Sequence, residues 1–164
     1  MPNFELAQLN IAQLAAPLES PALKDFVDNL DRINQLAEEA PGYVWRFQTE
    51  DGNATAVRPF GEDYLVNFSV WKDIESLHHY VYRSAHAGFI RRRKEWFHQL
   101  REVYTVLWWI PQGHRPTITE AKEKLQLLRD KGPTPAAFTF KKPFRTPSQT
   151  DSISALQEPA RPPD

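Results

Sequence analysis

The chain contains no cysteine. That excludes disulfides, zinc–thiolate centres, iron–sulfur clusters and a cysteine nucleophile. A disulfide-free chain fits the cytoplasm, which is the location expected. There is no excess of charge either: 20 Lys and Arg against 21 Asp and Glu give a formal net charge of −1. The electrostatic footprint of a nucleic-acid or anionic-membrane binder is missing, and neither partner is expected. No apolar run approaches the roughly 20 residues of a membrane span. The longest, Val106-Leu107-Trp108-Trp109-Ile110, has the length of a strand. The opening residues, MPNFELAQLNIAQL, lack a basic start and a long apolar stretch, and are not expected to form a signal peptide.

What is present is aromatic. Five tryptophans and an aromatic content of 12% in 164 residues suggest a large aromatic cavity or a large interface. The length suits one domain with its own core. Phe4 to Leu14 reads as a first strand, apolar at positions 4 and 6 and then at 9 and 11. The change of phase between these pairs suggests a bulge. Pro21 opens a helix with Ser20 as its N-cap, and Pro41-Gly42 stops it. Tyr43 to Gln48 is a second strand, with Tyr43, Trp45 and Phe47 on one face. Tyr64 to Trp71 is a third, with Asn67 and Ser69 in the middle of its second face. Asp73 caps a long helix expected to break near Ala87-Gly88 and to resume to about Leu100. Tyr104 to Ile110 is a fourth strand. A last helix starts at Thr117 or Thr119, in a capping box with Glu120, and stops at Gly132-Pro133. Ala137 to Phe140 reads as a short final strand, and 145–164 as a Pro-rich, disordered tail after a domain of residues 1–144.

The order β-α-β-β-α-β predicts an α+β, ferredoxin-like antiparallel sheet with helices on one face. The other face then needs cover, and a homodimer pairing two sheets into a dimeric α+β barrel supplies it.

The stretch WKDIESLHHYVYRSAHAGFIRRRKEWF, from Trp71 to Phe97, and LWWIPQGHRPTITEA, from Leu107 to Ala121, resemble a family of unknown function (domain of unknown function 3291). The resemblance covers Phe4 to about Phe140. That family is similar to the dimeric α+β-barrel superfamily. The superfamily includes small antibiotic-biosynthesis monooxygenases, haem-degrading enzymes, chlorite dismutase-like haem proteins, muconolactone isomerase-like enzymes and stress-response proteins. The resemblance implies the fold and the dimer. It transfers no catalytic residue.

The candidate site residues come from the chain itself. Four of the five histidines fall between Trp71 and His98. On a helical wheel His78, Tyr82 and His86 form one ridge at i, i+4 and i+8, beside an apolar stripe of Ile74, Leu77, Val81 and Ala85. Imidazole serves as base, acid or ligand near neutral pH, and a phenol donates to a developing oxyanion. The bland alternative makes His78 a core histidine bonded to a carbonyl or to Asn67. Asn67 is polar at the centre of an apolar strand and must be hydrogen-bonded. Arg93 shares a stripe with Phe89, Trp96 and Leu100. Arg93 or Arg46 would bind a carboxylate or phosphate on a ligand, with a salt bridge as the plainer reading. Trp45, Trp71 and Trp108 are read as walls.

The expected function is a small-molecule enzyme with an aromatic-lined cavity, using monooxygenase-, isomerase- or cyclase-like acid/base chemistry on an apolar, oxygen-bearing metabolite. The expected catalytic residues are His78, Tyr82 and Asn67. The expected substrate-binding residues are Trp45, Trp71, His86, Arg93 and Trp108. No metal and no cofactor is expected. The alternatives are a haem protein with an axial histidine, and a non-catalytic dimeric small-ligand-binding or stress protein.

Overall fold

A computed structural model describes residues 3–50 and 52–147. Of the tail expected over 145–164, residues 148–164 lie outside this range. The strands are β1 (Phe4–Leu14), β2 (Tyr43–Arg46), β3 (Tyr64–Trp71), β4 (Phe97–His98) and β5 (Thr105–Pro111). The helices are α1 (Lys24–Asp28), α2 (Leu30–Glu39), α3 (Ile74–Arg83), α4 (His86–Arg91), α5 (Arg93–Trp96) and α6 (Ile118–Lys131), with a 3-10 turn at Pro21–Leu23. β1 lies at the centre, antiparallel to β3 on one side and to β5 and the two-residue β4 on the other, and β2 extends the sheet beyond β3. The order β2-β3-β1-β5 with all neighbours antiparallel is the ferredoxin-like arrangement, and the fold is α+β.

β1 carries no bulge. Its register with β3 runs unbroken from Leu6 opposite Trp71 to Gln13 opposite Tyr64. The apparent change of phase has another cause. Ala7, Leu9 and Ile11 line one face throughout, while the other face reads Leu6, Gln8, Asn10, Ala12, Leu14 and is polar only in its middle. The bulge lies in β2 instead, between Tyr43 and Trp45. It puts Trp45 opposite Val70 and Arg46 opposite Ser69, so Tyr43 and Trp45 do not share a face.

The two faces are covered differently. On the first, two apolar clusters sit at opposite ends. One contains Leu6, Trp71, Leu77, Tyr80 and Leu107. The other contains Leu14, Leu23, Leu65 and Trp96. α1 to α5 supply the helical side of both. The second face, with Leu9, Val66, Phe68, Val106 and Trp108, packs under Ala121, Leu125 and Leu128 of α6. Its β2–β3 end is closed by Trp45, Phe47, Ala54 and Phe60. Helices on one face describe α1 to α5; α6 lies on the other. The face expected to need a partner is thus buried within one chain, with Phe68, Val70, Val106 and Trp108 each 2% exposed or less.

Local signals explain most element ends. Asp73 accepts from Ser76 N–H at 2.8 Å and caps α3. Thr117 accepts from Glu120 N–H at 3.1 Å and caps α6, which Gly132 ends at φ +72°. Ser20 does not cap: its hydroxyl donates to Pro17 C=O, and a break at Asn29 splits the expected first helix. Among the described residues no helix is long and apolar enough to cross a membrane.

Candidate functional site

A cavity of about 540 Å³ opens between the first sheet face and α1 to α5. It occupies the gap between the two apolar clusters of that face. Its floor is the polar middle of β1 and the matching positions of β3 and β5: Gln8, Asn10, Asn67, Ser69 and Thr105. Gln8 Nε2 donates to Asn67 Oδ1 at 2.6 Å and to Ser69 Oγ at 2.7 Å. Trp71 Nε1 donates to the same Ser69 Oγ at 2.8 Å. Asn10 Nδ2 donates to Thr105 Oγ1 at 2.6 Å. Gln8 and Ser69 are each only 5% exposed, so their bonds offset a real desolvation cost. Asn67, whose oxygen is taken by Gln8, has no acceptor for its N–H groups among the described residues, and its side chain is exposed in a strand of otherwise covered residues.

The walls are apolar and include Phe26, Leu30, Ile33, Val81, Phe89 and Trp96, with the Phe26 and Trp96 rings 5.4 Å apart. Three rings climb from floor to wall. Trp71 stacks on Tyr80 at 5.0 Å, and Tyr80 lies 4.6 Å from His86. The Tyr80 hydroxyl donates to Ile33 C=O at 3.1 Å, and burial pushes its pKa well above the usual phenol range. It is a fixed, neutral phenol rather than an acid.

His86 opens α4. Ser84 adopts extended backbone there and breaks the helix, while its hydroxyl accepts from His86 N–H at 3.1 Å and donates to Tyr80 C=O. The break thus falls at Ser84-Ala85 rather than at Ala87-Gly88, because Ser84 replaces the lost helical bonds. His86 Nδ1 lies 3.3 Å from Val81 C=O. Burial draws the imidazole below its ordinary value of 6.5, and the bond to that carbonyl partly opposes the shift. At neutral pH the ring is uncharged, carries its proton on Nδ1, and leaves Nε2 as a lone-pair base in a residue that lines the cavity.

Two arginines also line the cavity. Arg93 Nη1 donates to Tyr104 Oη at 3.2 Å, and its guanidinium lies 5.0 Å over the Tyr104 ring. Arg46 has weaker company: Nη2 lies 3.4 Å from Glu38, and the buried Nε has no acceptor among the described residues.

The structure redistributes the expected site. Asn67, Trp71, His86 and Arg93 line the cavity, and Tyr82 stands at its rim, 51% exposed. His78 does not line it. The buried side of α3 is centred on Leu77 and Tyr80, which turns His78 outward, where it meets Tyr82 at 4.8 Å and Phe140 at 5.6 Å. The ridge of His78, Tyr82 and His86 does not exist as such, because α3 ends at Arg83. Trp45 and Trp108 belong to the opposite face. Trp45 packs edge-on to Phe68 at 5.4 Å, and Trp108 Nε1 donates to Glu120 of α6 at 2.8 Å. Sequence reasoning misses Gln8 and Asn10. Their signal is the polar middle of one face of β1, which in the sequence looks like a bulge. Among the described residues no three His, Cys, Asp or Glu side chains cluster so as to hold a metal ion.

Comparison with curated proteins gives no match. Among solved structures the chain is similar to NE2512, a protein of unknown function from Nitrosomonas europaea, at 14% identity, 71% coverage of this chain, 97% of that one and TM-score 0.45. It is similar to SnoaB, a cofactor-independent oxygenase from Streptomyces nogalater, at 13% identity, 71% and 98% coverage and TM-score 0.42. It is also similar to PA3566 from Pseudomonas aeruginosa, at 9% identity, 71% and 99% coverage and TM-score 0.45. Likeness at this level carries nothing about activity. The match that assigns a family spans residues 5–154, nearly the whole chain, and by it the protein belongs to the family described as Domain of unknown function (DUF3291).

Proposed function

We propose that this protein is a small-molecule enzyme that removes a proton from a carbon next to a carbonyl group of a largely apolar substrate. The observation that carries the reading is a cavity that joins apolar walls, a polar amide floor and a neutral imidazole with a free Nε2. In the proposed step, His86 Nε2 takes the proton. The C–H bond breaks, its electron pair forms the C=C bond of the enolate while the C=O π pair moves to the oxygen, and the Asn67 N–H groups stabilise that oxyanion. Such a step serves isomerisation, cyclisation or the opening of a cofactor-independent oxygenation. The base expected at His78 thereby passes to His86, and Tyr82 becomes a rim residue. The homodimer remains a proposal. It would join surfaces other than the α6 face, which one chain already covers, and sedimentation at two concentrations checks it.

The test is proton exchange. A panel of enolisable aromatic ketones is incubated in deuterated buffer and followed by NMR. Wild-type protein is expected to catalyse exchange at the acidic carbon. His86→Ala is expected to lose it by about 10²- to 10⁴-fold while keeping its circular dichroism spectrum. Absence of catalysed exchange across the panel, or full exchange in a folded His86→Ala, sinks the assignment.

A haem protein is the second reading, and one observation favours it. An imidazole whose Nδ1–H is held by a backbone carbonyl, with Nε2 unbonded among the described residues, could also hold haem iron. His86 would hold the iron, which would supply redox chemistry. Titration with haemin decides it: no Soret shift that His86→Ala removes, no haem site.

A further inference from the structure

Arg46 is the group in the cavity whose bonding is least complete. Only 12% of its side chain is exposed. A guanidinium has five N–H donors and no way to shed its charge. Its one polar partner among the described residues is Glu38, at a long 3.4 Å, and Glu38 is itself 46% exposed. Arg46 Nε is buried and meets no acceptor among the described residues. Burying a cation with so little compensation is costly, and the cost is removed when an anionic oxygen completes the set. The neighbouring cation shows the contrast. Arg93 is covered by the ring of Tyr104 and bonded to its hydroxyl, so it is already accounted for within the chain.

Position makes the incomplete set informative. The β2 bulge places Arg46 opposite Ser69, beside the row of Gln8, Asn67 and Ser69 that floors the cavity. Without the bulge, strand alternation would hold Arg46 off this register. The geometry points to Arg46 as the anchor for a carboxylate on the cavity's ligand, a conclusion that rests on the cavity being the binding site. The substrate class is then an apolar, ring-bearing carboxylic acid. Its carboxylate pairs with the Nη groups of the guanidinium, Nε being closed off from solvent, its rings lie against the apolar walls, and its remaining oxygens reach the amide floor.

The probes are 2-naphthoate and its neutral counterpart 2-naphthamide, titrated into the full-length protein by calorimetry. Wild-type protein is expected to bind the acid at least about tenfold more tightly than the amide. Arg46→Gln is expected to abolish that preference while leaving amide binding unchanged, and Glu38→Gln to retain it. Fold-independent evidence comes from the wild type itself. The Nε–H resonance of Arg46 is expected to shift on adding naphthoate and to stay in place with naphthamide. Equal binding of the two probes, a preference that survives in Arg46→Gln, or an unmoved Nε–H resonance overturns the role of Arg46 and leaves the cavity reading intact. Failure of both probes to bind overturns the cavity reading and this inference together.

Discussion

Gln8 holds the floor together through one nitrogen, which serves both Asn67 and Ser69. Replacing it by Leu leaves Asn67 Oδ1 without its donor and Ser69 Oγ with Trp71 Nε1 alone. Gln8→Leu is expected to cost about 1–3 kcal/mol, read from urea denaturation. It is also expected to weaken ligand binding, because Asn67 loses the contact that orients its amide. His86 makes a pH prediction with a definite sign. Its folded pKa lies below its unfolded value of 6.5, so below that pH the unfolded chain binds more protons. Its contribution to stability is complete above pH 6.5, is lost as pH falls through the depressed folded value, and does not change further below it. A His86→Gln variant is expected to show a flatter melting temperature between pH 7.5 and 5 than wild type. An unchanged slope would remove His86 as the source. Proton abstraction by His86 is expected to fade over the same acid range, as Nε2 becomes protonated.

At the scale of elements, joints matter more than interiors. Gly42 sits at φ +87° between α2 and β2, and a Cβ there would stand 2.1 Å from Ser76 Oγ and 2.4 Å from Ser76 Cβ. Gly42→Ala meets both backbone strain and a clash with the first turn of α3. It is expected to destabilise by well over about 1 kcal/mol, and Ser76→Ala is not expected to rescue it, because the Cβ contact remains. α6 offers the opposite test. Leu125 is 1% exposed and packs on the face away from the cavity. Leu125→Ala is expected to cost about 2–5 kcal/mol in denaturation while leaving naphthoate affinity unchanged. A large loss of affinity would show that the two faces are coupled.

At the scale of the molecule, one sheet does two jobs. One face is a filled core under α6, where Phe68 lies near Trp45, Phe47 and Trp108. The other is packed at both ends and open in the middle. Truncating the chain before Thr117, which deletes α6, would uncover Val106, Trp108 and Ile110. Such a chain is expected to self-associate, seen as large species by light scattering, since an exposed patch of that kind draws partners.

The sequence by itself determined the main β-α-β-β-α-β order with its following helix, the Phe4–Leu14 strand, the caps at Asp73 and Thr117, and the stop at Gly132, because each depends on neighbours within a few residues; the two-residue β4 it did not show, and Ala137 to Phe140, read as a strand, forms only isolated bridges. It also marked Asn67 and Ser69 as polar groups in an apolar strand. Only the tertiary structure decided which residues share the cavity. Trp45 and Trp71 are both strand tryptophans, and a one-residue bulge in β2 decides that they face opposite ways. His78 and His86 look alike on a continuous helical wheel. The break at Ser84 and the burial of Tyr80 turn one outward and set the other against Val81 C=O. The composition announced aromatic and polar groups in one segment; their distances to β1, β2 and β3, set by long-range packing, made some of them a site.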